Sequence, residues 1–89
     1  MTTATTAPRP LAEIALDIQK HWANVWFGAA PYLAAMGRLD KITDRYGDDD
    51  AETIVTYFLS NATYWRGPDA RRIKSELRAK SVRVWKYSF

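Results

Sequence analysis

Apolar residues recur at helical spacing in four stretches of this chain, and Gly or Pro separates each stretch from the next. The first helix is expected from about Pro10 or Leu11 to Phe27. Leu11, Ile14, Ala15, Ile18, Trp22, Val25 and Trp26 share one face of it, with Glu13, Asp17, Lys20 and Asn24 opposite. Gly28 is the expected stop. A second helix starts near Pro31, a good first-turn residue, and groups Tyr32, Ala35, Met36, Leu39, Ile42 and Tyr46 against Arg38, Lys41 and Arg45, with Gly47 as its C-terminal cap. The third pattern is the most apolar. Ile54, Val55, Phe58, Leu59, Ala62 and Trp65 form a broad arc opposite Thr53, Thr56, Ser60 and Thr63. Asp49 and Glu52 have capping-box spacing, and Asp50 competes as N-cap. Gly67-Pro68 marks the sharpest corner: Gly67 can close the third helix, and Pro68 suits the first turn of a fourth. In that fourth helix Ala70, Ile73 and Leu77 form a narrow apolar line, and Arg71, Lys74 and Arg78 a basic stripe beside it.

These patterns predict an all-α fold, a single small domain of four helices in a compact bundle spanning residues 10–80. The expected core includes Ile14, Ile18, Trp22, Val25, Leu39, Ile42, Ile54, Phe58, Trp65, Ile73 and Leu77. Residues 1–9 read as a disordered arm, because MTTATTA is short, polar and repetitive. Residues 81–89, SVRVWKYSF, read as a partly ordered tail whose aromatics pack on the domain or on a partner.

Composition narrows the function classes. Eighty-nine residues make one domain, and four Trp, five Tyr and three Phe are enough to fill a core without staples. The chain lacks cysteine, which removes disulfides and thiolate chemistry. No apolar run approaches the ~20 residues of a membrane span, and the start lacks the apolar centre of a signal peptide. The net charge of +3 conceals an asymmetry. Residues 66–89 carry eight Lys and Arg against two acids, a net of +6, and residues 1–65 a net of −3. A basic end of this kind favours an anionic partner or an acidic protein surface. It also suits the acidic stretch Asp48 to Glu52 of another copy, so a homodimer built with the tail is expected.

The polar residues do not spell a catalytic site. His21 is the one histidine, four residues after Asp17 on the edge of the first helix. A general base held by a carboxylate and a simple i,i+4 pair both fit this spacing, and the pair explains it more economically. Asp44, Asp48, Asp49, Asp50 and Glu52 lack the alternating ligands and central Gly of an EF-hand loop, so capping and solvation account for them. Gly28, Gly47 and Gly67 make no phosphate-binding pattern. No cofactor or metal is implied. The least bland patch is the basic, aromatic C-terminal end: Arg71, Lys74, Arg78, Lys80, Arg83, Trp85, Lys86, Tyr87 and Phe89. Basic residues interleaved with aromatics suit protein interfaces, and they also suit single-stranded nucleic acid.

The segments IVTYFLSNATYWRG and ARRIKSEL, with FGAAPYLAAM and LDKITDRYG upstream, resemble a family of small proteins encoded by actinobacteriophages, including mycobacteriophages. The likeness spans roughly Ile14 to Leu77 and rests on packing and corner residues. It implies a phage-encoded protein made in the host bacterial cytoplasm, and it implies no chemistry. Together these readings point to a non-enzymatic interaction protein that binds a host or phage protein. Nonspecific nucleic-acid binding through the basic end is the alternative.

Overall fold

The first helix has no side chain to cap it. In the computed structural model, which describes residues 9–80, α1 runs over Leu11–His21 behind Pro10, which offers no side-chain acceptor. The orphan donors of its first turn are met by backbone instead. Leu11 N donates to Asp40 O at 2.8 Å and Ala12 N to Leu39 O at 2.9 Å, while Glu13 N and Ile14 N reach Pro10 O. The expected arm (1–9) and tail (81–89) lie outside the described residues, apart from Arg9.

That capping bond fixes the path of the chain beyond α2. This helix, Ala30–Met36, has Pro31 in its first turn as expected, but it stops far short of Tyr46. Gly37 is its C-cap, and a turn brings buried Leu39 and the Asp40 carbonyl onto the start of α1. A helix continuing to Tyr46 would point those carbonyls along its own axis and leave α1 uncapped. The chain goes on into a small antiparallel hairpin, β1 (Arg45–Tyr46) and β2 (Asp49–Asp50), which pairs Arg45 with Asp50 and Tyr46 with Asp49. Gly47, at φ 64°, sits in its two-residue turn, not at the end of a helix.

The helix α3 covers Ala51–Ser60. Asp50 wins the capping competition, its side chain accepting from Thr53 N at 2.8 Å, and Asp49 is a strand residue. The helix ends before Trp65, yet Ala62 and Trp65 are buried as the arc predicts, because the turns after Ser60 keep folding back on the core. The helix α4, Pro68–Ala79, opens at the expected proline and buries Ala70, Ile73 and Leu77.

A second departure is the early end of α1. Its last backbone bond runs from Trp22 N to Ile18 O, and Trp22 then leaves helical geometry at φ −124°, ψ 86°. Its indole stacks on Trp65 at 5.2 Å between centroids and 3° between planes, and meets Phe58 edge-on at 6.2 Å. Extending α1 would need Asn24, Val25, Trp26 and Phe27, none a strong helix former, and would break that stack. Gly28 consequently caps no helix and has no positive φ. A Cβ there would lie 2.5 Å from Trp26 Nε1 and 2.9 Å from Asn61 Oδ1, so close approach is what requires glycine.

The described residues form a mostly helical globule of four helices and one two-stranded hairpin. The helix α1 packs on α2 and α4, and α2 on α3. Ile14, Ile18, Leu39, Ile54, Phe58, Trp65, Ile73 and Leu77 are buried as expected, while Trp22, Val25 and Ile42 are partly buried against them.

Gly67, like Gly47, has a positive φ, 112°, and an added Cβ at either would meet nothing within 4 Å. Substitution by alanine therefore tests backbone cost alone. Gly47 is left-handed, a conformation that costs alanine roughly 1–2 kcal/mol. Gly67, at φ 112°, ψ 178°, occupies a region open essentially to glycine alone, with a cost of about 1–3 kcal/mol. Urea denaturation should show Gly67→Ala as the more destabilising change at an unaltered m-value; an equal or reversed order would contradict this reading.

Candidate interaction surface

The basic stripe of α4 is not the uniform solvent-facing row its spacing suggests. Lys74 turns inward. Its Nζ donates to Ala62 O at 2.7 Å and Trp65 O at 2.6 Å, and lies 5.9 Å from the centroid of the Trp65 ring. Carbonyls left over beyond α3 attract a cation in this way. Burial pushes the Lys74 pKa down, helped by Arg78 and Arg66. Arg71 is exposed, whereas Arg78 and Lys80 are half-buried. The Arg78 Nε is buried with no hydrogen-bond partner among the described residues. The remaining candidates Arg83, Trp85, Lys86, Tyr87 and Phe89 lie outside the described residues.

A second group of charges joins α1 to α4. Asp17 is at its centre. Arg72 donates to it from Nη1 at 2.9 Å, and Arg9 Nη2 lies 3.0 Å away. Arg9 also donates to Glu76 through Nε at 2.9 Å and Nη2 at 2.6 Å, and Arg72 to Asp69 at 3.0 Å. The pairing of early α1 with late α4, and of late α1 with early α4, makes the two helices antiparallel. The Arg72 hydrogen bond, followed by that of Arg9, holds the Asp17 carboxyl far below the usual carboxylate range against the opposing effect of burial. The same contacts raise both guanidinium groups above their ordinary value, Glu76 leading for Arg9 and Asp17 for Arg72.

His21 belongs to this cluster. Its Nδ1 is 2.9 Å from Asp17 Oδ1 and 3.0 Å from the Asp17 carbonyl oxygen, and its Nε2 is 3.9 Å from Asp69 Oδ2. The i,i+4 pair read from the sequence is thus present, and it is tied into an ion network that also holds two arginines. At the hairpin, Asp44 accepts from Lys41 N at 2.9 Å and Asp40 N at 3.1 Å, bonds that lower its pKa. Among the described residues no three His, Cys, Asp or Glu side chains converge to hold a metal ion, and no helix is long and apolar enough to cross a membrane.

The sequence reading missed one surface. Trp26, assigned to the buried face of a longer α1, is 45% exposed, and Phe27 beside it is 76% exposed. Tyr57 and Tyr64 are 50% and 83% exposed. Trp26, Phe27 and Tyr57 are linked. Trp26 contacts Phe27 at 4.3 Å between centroids, Asn61 lies with Trp26 over Gly28 and donates to Tyr57 O, and Tyr57 meets Tyr32 at 5.4 Å. The signal that could have found the surface is the run of weak helix formers from Asn24 to Phe27. Comparison of the chain with protein-family models, curated proteins and solved structures gives no match.

Two outcomes test this electrostatic picture. Lys74→Met, which keeps the stem, leaves the Trp65 carbonyl without its donor and Ala62 O with Trp65 N alone, and should destabilise by about 1–3 kcal/mol, whereas Arg71→Gln should stay within about 0.5 kcal/mol of the parent. Chemical denaturation of the two variants separates them; equal stabilities would return Lys74 to the solvent-facing stripe. For Asp17, a carboxylate whose pKa falls on folding contributes stability above its unfolded pKa of about 4 and loses it as pH drops further. Asp17→Asn should therefore cost about 1–2 kcal/mol at neutral pH, and its deficit should shrink as pH falls from about 4 to 2. A deficit independent of pH in thermal melts would show that the charge of Asp17 is not what joins the helices.

Proposed function

We propose that this chain is a small, phage-encoded, non-enzymatic interaction protein. It acts in the host bacterial cytoplasm by binding a host or phage protein through its basic, aromatic C-terminal end. The contact residues are Arg71, Arg78, Lys80, Arg83, Trp85, Lys86, Tyr87 and Phe89. The observation that carries the choice of a protein partner is the inward turn of Lys74, bound to two backbone carbonyls. It interrupts the row of cations that would track a phosphate backbone. What remains on α4 is a scatter of guanidinium and ammonium groups joined to an aromatic segment, and Trp, Tyr and Arg are the commonest anchors of protein interfaces.

Nonspecific nucleic-acid binding is the second reading. It is favoured by the net charge of +6 in residues 66–89. It requires affinity to come from phosphate neutralisation, with a log–log salt slope of about −0.7 per phosphate for single strands.

Electrophoresis and capture distinguish the two. With micromolar protein and about 50 mM salt, conditions in which nonspecific binders already associate, no shift of single-stranded DNA or RNA is expected. Capture from infected cells should retain a specific protein that the Trp85→Ala variant loses. A salt-sensitive shift, weakened by Trp85→Ala, would establish the nucleic-acid reading in its place.

A further inference from the structure

The exposed rings after α1 and along α3 form a surface of unusual electrical neutrality. No Asp, Glu, Lys or Arg occurs between His21 and Arg38, nor between Glu52 and Arg66, in a chain that is 26% charged. These two uncharged stretches are the ones that meet in space, because α2 packs on α3 and Asn61 lies over Gly28. Trp26, Phe27 and Tyr57 stand on that surface, and Ala30, Pro31 and Ala34 of α2 are exposed as well.

Given exposures of 45, 76 and 50%, the three rings offer roughly 350 Å² of side-chain area, taking about 150–250 Å² for each complete ring. A standard interface buries about 800 Å² on each partner. The rings thus supply a little under half of one side, and the exposed Ala30, Pro31 and Ala34 of α2, which packs on α3, add to them. This much linked aromatic area is near the largest patch a monomer usually leaves in water.

We propose that this face is a self-association surface and that its occupant is a second copy of the chain, related by a twofold axis. A twofold interface sets one patch against itself. A patch with a net charge of either sign would repel its copy, whereas this one brings no like charges together and buries no unpaired ion. The remainder of the surface, where the formal charges lie, stays at the rim and in water, as interfaces require. Tyr57 keeps a hydroxyl group that can hydrogen-bond across the axis or to rim water. The proposal is independent of the C-terminal reading: it uses none of residues 66–89, and it differs from a dimer built with the tail.

Sedimentation velocity on the full chain, from about 1 to 200 µM, brackets the affinity of a modest interface. The expected result is a monomer–dimer equilibrium. Phe27→Lys and Tyr57→Lys, each at an exposed position and each placing like charges on the face, should raise the dissociation constant about tenfold or more, with circular dichroism unchanged. Tyr57→Ser serves as a third variant should either lysine change unfold the chain. Trp85→Ser with Tyr87→Ser, made in the full chain, should leave the dimer intact. A parent protein that stays monomeric throughout overturns the proposal. So does a dimer that survives the face substitutions, or one that dissociates only when the tail is altered.

Discussion

The flat stack of Trp22 on Trp65 is the contact on which most of this structure depends. It ends α1 at the point where the indole must turn inward, and it holds the segment after α3 against the core although that segment is no longer helical. It also sets the position of α4. The Trp65 carbonyl and ring together receive the ammonium group of Lys74, so the same tryptophan that closes one helix anchors another. Aromatic pairs add about 0.5–1.5 kcal/mol beyond the area they bury. Here the gain is larger in consequence than in energy, because it redirects the chain: Val25, Trp26 and Phe27 emerge from the stack as a loop and not as two further turns of α1.

Burial was more legible in the sequence than helix length. Ile14, Ile18, Ile54, Phe58, Ile73 and Leu77 lie where their periodicity puts them, since a 3.6-residue repeat reports which side of a helix faces the core. The ends of helices depend on partners far away in the chain, which periodicity cannot sense. Three examples make the point. Trp22 leaves α1 for a ring 43 positions later. The chain after Met36 turns to serve the first turn of α1. Gly47, read as a helix end, makes a hairpin turn that only the pairing of Tyr46 with Asp49 reveals. The Gly-Pro corner was legible because both residues act through their own backbone.

The candidate site was legible in the same uneven way. Charge asymmetry is a property of composition and survives folding. The use of each charge is set by its neighbours in space, which composition does not contain. Arg72 and Lys74 are near neighbours in one basic helix, yet one joins α1 through Asp17 and the other holds backbone carbonyls. Arg71, between the corner and both of them, is left to solvent. A formal net charge therefore overstates the positive potential this helix presents to a partner.

The backbone cap on α1 has a bearing on how the molecule is made. Helices of 11, 7, 10 and 12 residues are too short to persist alone in water, where about 12–15 residues are marginal even for good formers. The first of them also borrows its initial acceptors from Leu39 and Asp40, and its C-cap, Trp22, waits for Trp65. Arg9 has no carboxylate from α4 until Glu76 has been synthesised. A growing polypeptide thus meets no early stopping place at which part of the domain is complete. The native contacts of α1 are complete only once the chain has been made as far as Glu76.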